Sequence, residues 1–345
     1  MLKKIQSIAI VASVIASGAS AEVSDICRSL LDGRAATFIV ANGPGGGYDT
    51  YARAIAPILG EESGLRVRVV NNEAGGGSVA RRLTMNARTN DLVILVENAV
   101  DLAVETIDAE TDTAIIELLD TLGIIHVAPD AWILPEGLDI SDTAVSNLVA
   151  AQGSLEDAVL AVTLVGMALG IEISVVGGYG GSSDFVSAIL RGEVDLTAIS
   201  LQTAIRRTEG NEAYVALIVS AAMDPDAPET PYLGGEDGMA ALRAEGLSED
   251  IQAERRRFAE VAISLSGAIR GLYISRNAPQ DVRDCLRDAI DVTLQSEALA
   301  EALDTQGRPL APITGTAAAA RASAMIDAFR ASRPLIERIM AEQGN

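Results

Sequence analysis

The chain has 345 residues, 49% of them hydrophobic and 3% aromatic, which suits one large or two medium domains with aliphatic cores. Its formal net charge is −22, or −24 once Lys3 and Lys4 are discounted, and no Lys- or Arg-rich stripe is present to meet phosphates. That balance excludes nucleic acid as a partner.

Residues 1–21 read as a secretory signal: Lys3 and Lys4, the apolar run Ile8 to Ala16, then Ala19-Ser20-Ala21 with cleavage after Ala21. The run is too short to span a bilayer, so the expected mature protein is exported and soluble, in the periplasm. Cys27 and Cys285 are the only cysteines. In an oxidising compartment they are expected to form a disulfide, two separate buried thiols being the alternative.

From Ala36 to Glu97 short apolar strands alternate with helices of about ten residues, the pattern of a parallel sheet with crossover helices. The expected elements are strand Ala36 to Ala41, helix Thr50 to Leu59, strand Arg66 to Asn71, helix Ser78 to Asn86 and strand Leu92 to Glu97. Between the first strand and helix lies Asn42-Gly-Pro-Gly-Gly-Gly-Tyr-Asp-Thr50. Consecutive glycines let backbone approach a ligand, Asp49 or Thr50 can cap the helix, and free N–H groups at its positive end suit an anion such as a carboxylate. A tight turn without a ligand is the alternative. The turn lacks the Lys-Ser/Thr pair of a phosphate loop, and Tyr48 stands where a dinucleotide fingerprint needs its third glycine. Gly75-x-Gly77-x-x-Ala80 fits that fingerprint better, but such patterns are common in α/β chains, and no cofactor is expected.

Asp101 to Asp120 reads as an acidic helix and Gly123 to Val127 as a strand carrying His126, the only histidine, in a structural role. No nucleophile or metal-ligand cluster accompanies it, so no enzyme and no metal site is expected. Trp132 falls where the chain is expected to pass between domains. A second alternating set follows: strand Asn147 to Gln152, a helix from the capping box Ser154-Leu-Glu-Asp157 to Gly170, and strand Glu172 to Val176. After the turn Gly177-Gly-Tyr-Gly-Gly-Ser-Ser183 come helix Asp184 to Leu190, strand Val194 to Ile199, helix Gln202 to Thr208 and strand Val215 to Ser220. Met223 to Gly235 reads as a loop or hinge, Ala240 to Phe258 as a charged helix, and Leu272 to Ser275 as a strand. Helices around Gln280 to Leu303 and Gly315 to Glu342 complete the chain, the last kinked or split at Pro334.

These motifs resemble the extracytoplasmic solute-binding proteins of tripartite tricarboxylate transporters, the Bug family. The family loop Pro-Gly-Gly-x-x-Asp followed by Ala-Arg is similar to Pro44 to Asp49 with Ala52-Arg53, and its Asn-x-x-Gly-Ala-Gly-Gly loop to Asn72 to Gly77. Its second-domain signature is similar to Tyr179-Gly180-Gly181 leading to Gly192-Glu-Val-Asp-Leu196; Gly271-Leu-Tyr-Ile-Ser and Gln306-Gly307 also match. The resemblance implies an α/β, two-domain flytrap fold, each domain a mainly parallel sheet flanked by helices. Residues 22–127 and 223–345 would form a discontinuous first domain and 128–222 the second. It implies that Gly45, Gly46, Gly47, Tyr48, Asp49 and Thr50, with Gly76, hold a small organic acid from one side. Tyr179, Gly180, Gly181, Ser182 and Ser183 would hold it from the other, with Asn98, Gly153 and Ser154 as further contacts. It implies a monomer that hands its ligand to membrane transporter subunits; a sensory module docking on a membrane receptor is the second reading. Three departures bear on specificity: Gly180 replaces a Lys often found there, Asp184 replaces a common Pro, and Glu97 adds an anion beside the expected site. A second ligand carboxylate is therefore less well provided for than the first, and a neutral or cationic group near Glu97 is accommodated.

Overall fold

The computed structural model describes residues 22–108, 113–153, 159–265 and 267–343. The expected signal segment and Ser154, with the capping box it opens, lie outside the described residues.

Two five-stranded sheets organise the chain. The first is built from β1 (Ala35–Val40), β2 (Arg66–Asn71) and β3 (Leu92–Asn98), all parallel, joined by α2 (Gly47–Ser63) and α3 (Ser78–Met85) after an N-terminal α1 (Asp25–Leu31). Phe38, Ile39 and Val40 of β1 are all buried, as a strand covered on both faces requires, whereas edge strand β2 alternates exposed Arg66 and Arg68 with half-buried Val67 and Val69. The chain continues through α4 (Ala99–Val104), a small hairpin β4 (Thr106–Asp108) and β5 (Thr113–Ala114), and β6 (Leu119–Ala128). It crosses at Pro129 into the second sheet.

That sheet contains β7 (Asp130–Pro135), β8 (Asn147–Ala151), β9 (Glu172–Val176), β10 (Leu196–Ser200) and β11 (Ala213–Ile218), in the order β11-β7-β10-β8-β9. Strands β8, β9 and β10 are parallel and β7 is antiparallel to both its neighbours. Its helices are α5 (Leu164–Leu169), α6 (Ser182–Leu190), α7 (Leu201–Thr208), the short α8 (Met239–Leu242) and α9 (Glu249–Leu265). The chain returns through Gly267 (φ +110°), whose N–H donates to Asp130 Oδ2 (3.0 Å), so the two crossings are fastened side by side. Strand β12 (Ala268–Ser275) then inserts antiparallel between β3 and β6, giving the first sheet the order β2-β1-β3-β12-β6. Helices α10 (Gln280–Leu294), α11 (Glu297–Asp304) and α12 (Gly315–Gln343) finish the fold.

Residues 223–265, which the sequence division places with the first domain, hydrogen-bond into the second sheet's surroundings. Leu233 N–H donates to Ile218 O (2.9 Å), and the buried Arg243 donates to carbonyls of Ile140, Asp142, Val145 and Leu169. The Cys27–Cys285 disulfide is present and ties α1 to α10.

Four expected elements differ. The acidic helix at 101–120 is only α4 followed by the hairpin and a single 3-10 turn, Ile115–Leu118, because Thr106, Ile107, Thr113, Ile115 and Ile116 are β-branched and the carboxylates between them repel. The first part of the helix expected to end at Gly170 lies outside the described residues, which resume in a π turn at Val159–Thr163 leading into α5. The expected helix over 240–258 is broken at Gly246 (φ +76°), and Ser296, whose side chain accepts from Leu299 N–H, starts α11 as a separate helix from α10. Finally, α12 is not split at Pro334 but continues through it as one helix.

Candidate functional site

The carboxyl ends of β1, β2 and β3 and the amino end of β12 share one edge of the first sheet, and those of β8, β9 and β10 face them from the second. Ligands in open α/β sheets lie outside such edges. Here the edges enclose a cleft of about 850 Å³.

On the first side, α2 begins at the glycine turn. Gly45 takes φ +79° and Gly46 is the N-cap without a side chain to offer, so the N–H groups of Gly46, Gly47 and Tyr48 have no partner among the described residues. All three residues line the cleft. Asp49 and Thr50 do not line it. The Asp49 carboxylate is buried and accepts from Gly45 N–H (2.9 Å) and from Arg53, and the Thr50 hydroxyl donates to Gly46 O (2.8 Å). Burial opposes ionisation of Asp49, but hydrogen bonds from Arg53, Gly45 and Asn71 outweigh it and hold its carboxyl below the ordinary value. These two residues, with Gly45, pin the turn from behind.

On the second side, Tyr179, Gly180, Gly181, Ser182 and Ser183 all line the cleft, and Gly181 is the N-cap of α6. Part of this turn's donor set is already used: Gly180 N–H donates to Asp184 Oδ2 (3.2 Å) and Tyr179 N–H to Gln152 O (3.4 Å). The N–H groups of Ser182 and Ser183 have no partner among the described residues. The lobes meet at the rim, where a Cβ on Gly43 would lie 3.5 Å from Gly180 O, and the Glu73 carboxylate sits against both glycines.

Gly76, Asn98 and Gly153 also line the cleft. The Asn98 side chain accepts from Val100 N–H (3.3 Å) and Ile269 N–H (3.0 Å), tying α4 to the return crossing. Glu97, expected as an anion beside the ligand, is instead fully buried behind the cleft, accepting from Arg81 Nη1 (3.2 Å) and Asn98 N–H (2.8 Å). Trp132 is on β7, two residues beyond Asp130, buried, with Nε1 donating to the carbonyl of Ala161 (3.0 Å), a cleft residue on the π turn.

The sequence reading missed the floor. Arg270, on β12 between Asn98 and His126 in register, is 3% exposed and lines the cleft. Its Cζ lies 5.4 and 5.6 Å from the ring centroids of Tyr48 and Tyr51, which hold the guanidinium by cation–π attraction. Nη2 donates to Ser200 Oγ on the second side, and Nε has no partner. Arg308, 5% exposed, donates Nη1 to Thr203 Oγ1 (3.2 Å) and likewise has an unpartnered Nε. A Cβ on Gly47 would lie 3.5 Å from Arg308 Nη1 and 3.6 Å from Arg270 Nε, so both cations flank the start of α2. Burial, then the charges of Arg206 and Arg270, pull the Arg308 guanidinium down to about 10. No ion pair neutralises Arg270 or Arg308 among the described residues. Arginines with open donors beside a helix N-terminus form a site for an oxyanion. The only local signals are single arginines beside Gly271 and Gly307.

No family model and no curated protein matches the sequence. Solved structures do. The periplasmic binding protein BugD aligns over 90% of this chain and 98% of its own with a TM-score of 0.64 at 16% identity. This chain has the periplasmic-binding-protein fold. MatC from Rhodopseudomonas palustris with bound malate aligns over 90% and 97% of the two chains, with a TM-score of 0.62 at 18% identity. An R. palustris protein with adipate covers 88% and 98%, with a TM-score of 0.69 at 17% identity. The periplasmic-binding-protein fold thus agrees with the Bug-family resemblance read from the glycine motifs.

Proposed function

We propose that the protein is an exported, periplasmic solute receptor that captures a small organic acid in the cleft and delivers it to a tripartite tricarboxylate-type membrane transporter. The observation that carries this reading is the facing of two helix N-termini with open N–H groups, α2 and α6, across one gap floored by Arg270. A carboxylate is the anion those donors suit, and the malate and adipate of the structural neighbours are of that class. Despite the chain's net charge of −22, the local donors prevail, because screening ends surface repulsion beyond about 8 Å while N–H groups act at contact distance. Transient capture by a monomer, without turnover, fits a site built of donors.

We assign the lobes to the two sheets, with 223–265 moving with the second. The ligand touches both lobes only when they are closed, so its binding free energy drives closure. A thermal-shift screen of mono-, di- and tricarboxylates, followed by calorimetry, tests the reading: an acid that binds the folded form raises the melting temperature. The absence of any shift across the panel, or turnover of a bound acid, sinks it.

A further inference from the structure

The cleft is electrically lopsided. Arg270 is the single cation among its described lining residues, and Glu73, Asp101, Asp130 and Asp184 line it as well. At the Arg270 end, where Asp101 and Asp130 also lie, the anion donors are nevertheless open: the Arg270 Nε and the N–H groups of Gly46, Gly47 and Tyr48 have no partner among the described residues. The Tyr179–Ser183 end already holds carboxylates of the chain itself. Asp184 stands in the first turn of α6 and accepts from Gly180 N–H, and a Cβ on Gly180 would lie 3.0 Å from Asp184 Oδ2 and 3.7 Å from Glu73 Oε2.

Resting on the organic-acid reading above, we infer that this cleft selects an acid with one carboxylate, seated on Arg270 and the start of α2, whose far end is cationic or hydroxylic and meets Glu73 and Asp184. A ligand with a second carboxylate at that end is repelled. The two acidic side chains are exposed, so water and salt screen part of their effect. A like charge within one closed gap still disfavours the second anion, and an opposite charge is favoured, by about tenfold each.

Matched five-carbon probes test the inference by calorimetry: glutarate, pentanoate, 5-hydroxypentanoate and 5-aminopentanoate. The expected order is 5-aminopentanoate and 5-hydroxypentanoate at least tenfold tighter than glutarate. Arg270→Gln should lose binding of every probe. Because Arg270 is buried and its replacement can unfold the chain, the double variant Glu73→Gln/Asp184→Asn, at exposed positions, is the second arm. There the affinity ratio of glutarate to 5-aminopentanoate should rise at least tenfold. Glutarate binding as tightly as 5-aminopentanoate to the native protein, or a ratio unmoved in the double variant, overturns the selectivity and leaves organic-acid capture standing. No binding by these probes or by any acid in the wider panel overturns both.

Discussion

Arg308 on the first lobe donates to the hydroxyl of Thr203 on the second, 3.2 Å away, and Thr203 in turn is hydrogen-bonded to Ser200, the residue that accepts from Arg270. Two buried cations therefore fasten the lobes through hydroxyls rather than carboxylates, and stay available to an anion. Thr203→Val removes an acceptor from a buried guanidinium, which costs about 1–3 kcal/mol in the closed form and little in an open, hydrated one. The expected outcome is a five- to hundredfold weaker affinity for the captured acid, on the scale where 1.4 kcal/mol is tenfold, with a nearly unchanged melting temperature for the ligand-free protein. Equal affinity in calorimetry would remove this contact from closure.

Gly46 has φ −77° and its missing Cβ would meet only Gly43 O, at 3.5 Å, so a side chain is tolerated there. Gly46→Asp should fold. Its carboxylate would take the open N–H groups of α2 and repel an incoming acid, a penalty of up to about 4 kcal/mol at contact range. Affinity is expected to fall at least a hundredfold, while circular dichroism and melting stay near native. Intact binding in the folded variant would move the carboxylate elsewhere.

His126 lies on β6 beside Arg270, with neither ring nitrogen partnered, Gln202 and Asp226 of the second lobe being its other polar neighbours. Burial first, then the Arg270 charge, lowers its pKa from 6.5 to about 4. The folded state therefore favours the neutral ring. Between about pH 6.5 and 4 the unfolded chain binds the extra proton, so this residue's contribution is present above pH 6.5 and is lost as the pH falls through that window, by about 3 kcal/mol in all. Denaturant melts at pH 7 and pH 4.5 should show a steeper loss for the native protein than for His126→Gln. Parallel slopes would mean that the ring takes up its proton in the fold at the same pH as in the unfolded chain.

The Cys27–Cys285 bridge closes a loop of 258 residues and fastens the N-terminal helix to α10. By chain entropy such a loop stabilises the fold by about 5 kcal/mol. The variant Cys27→Ser/Cys285→Ser is expected to melt well below the oxidised protein, with its acid affinity within about threefold of native, since neither residue lines the cleft. A melting temperature within a degree of native would leave the bridge without a stabilising role.

The paired strand-turn-helix units were legible because glycine runs and hydrophobic periodicity are local signals: β2 and β9 fall on the expected residues, and the two turns face each other. The floor was not. Arg270 and Arg308 are single cations 38 positions apart, and a lone arginine reads as a solvated side chain until the sheet order places both beside Gly47. Glu97 misled for the same reason: its partner Arg81 is sixteen residues away on α3, and only packing brings them together. The stretch after Asp101 is as acidic as a solvated helix, but its β-branched residues favour the extended backbone of β4 and β5.

Both crossings, at Pro129 and Gly267, leave and enter the first sheet at its β12-β6 margin, whereas Glu73 follows β2 at the opposite margin and Gly180 follows β9, the far strand of the second sheet. Three strand spacings, about 14 Å, separate that pivot from the Glu73 rim. With such a lever arm, a swing of some 20° would part Gly43 from Gly180 by roughly 5 Å and would move Arg270, on β12, far less. Solute would then enter and leave past Glu73, and that acidic side chain would be the first group of the cleft it encounters.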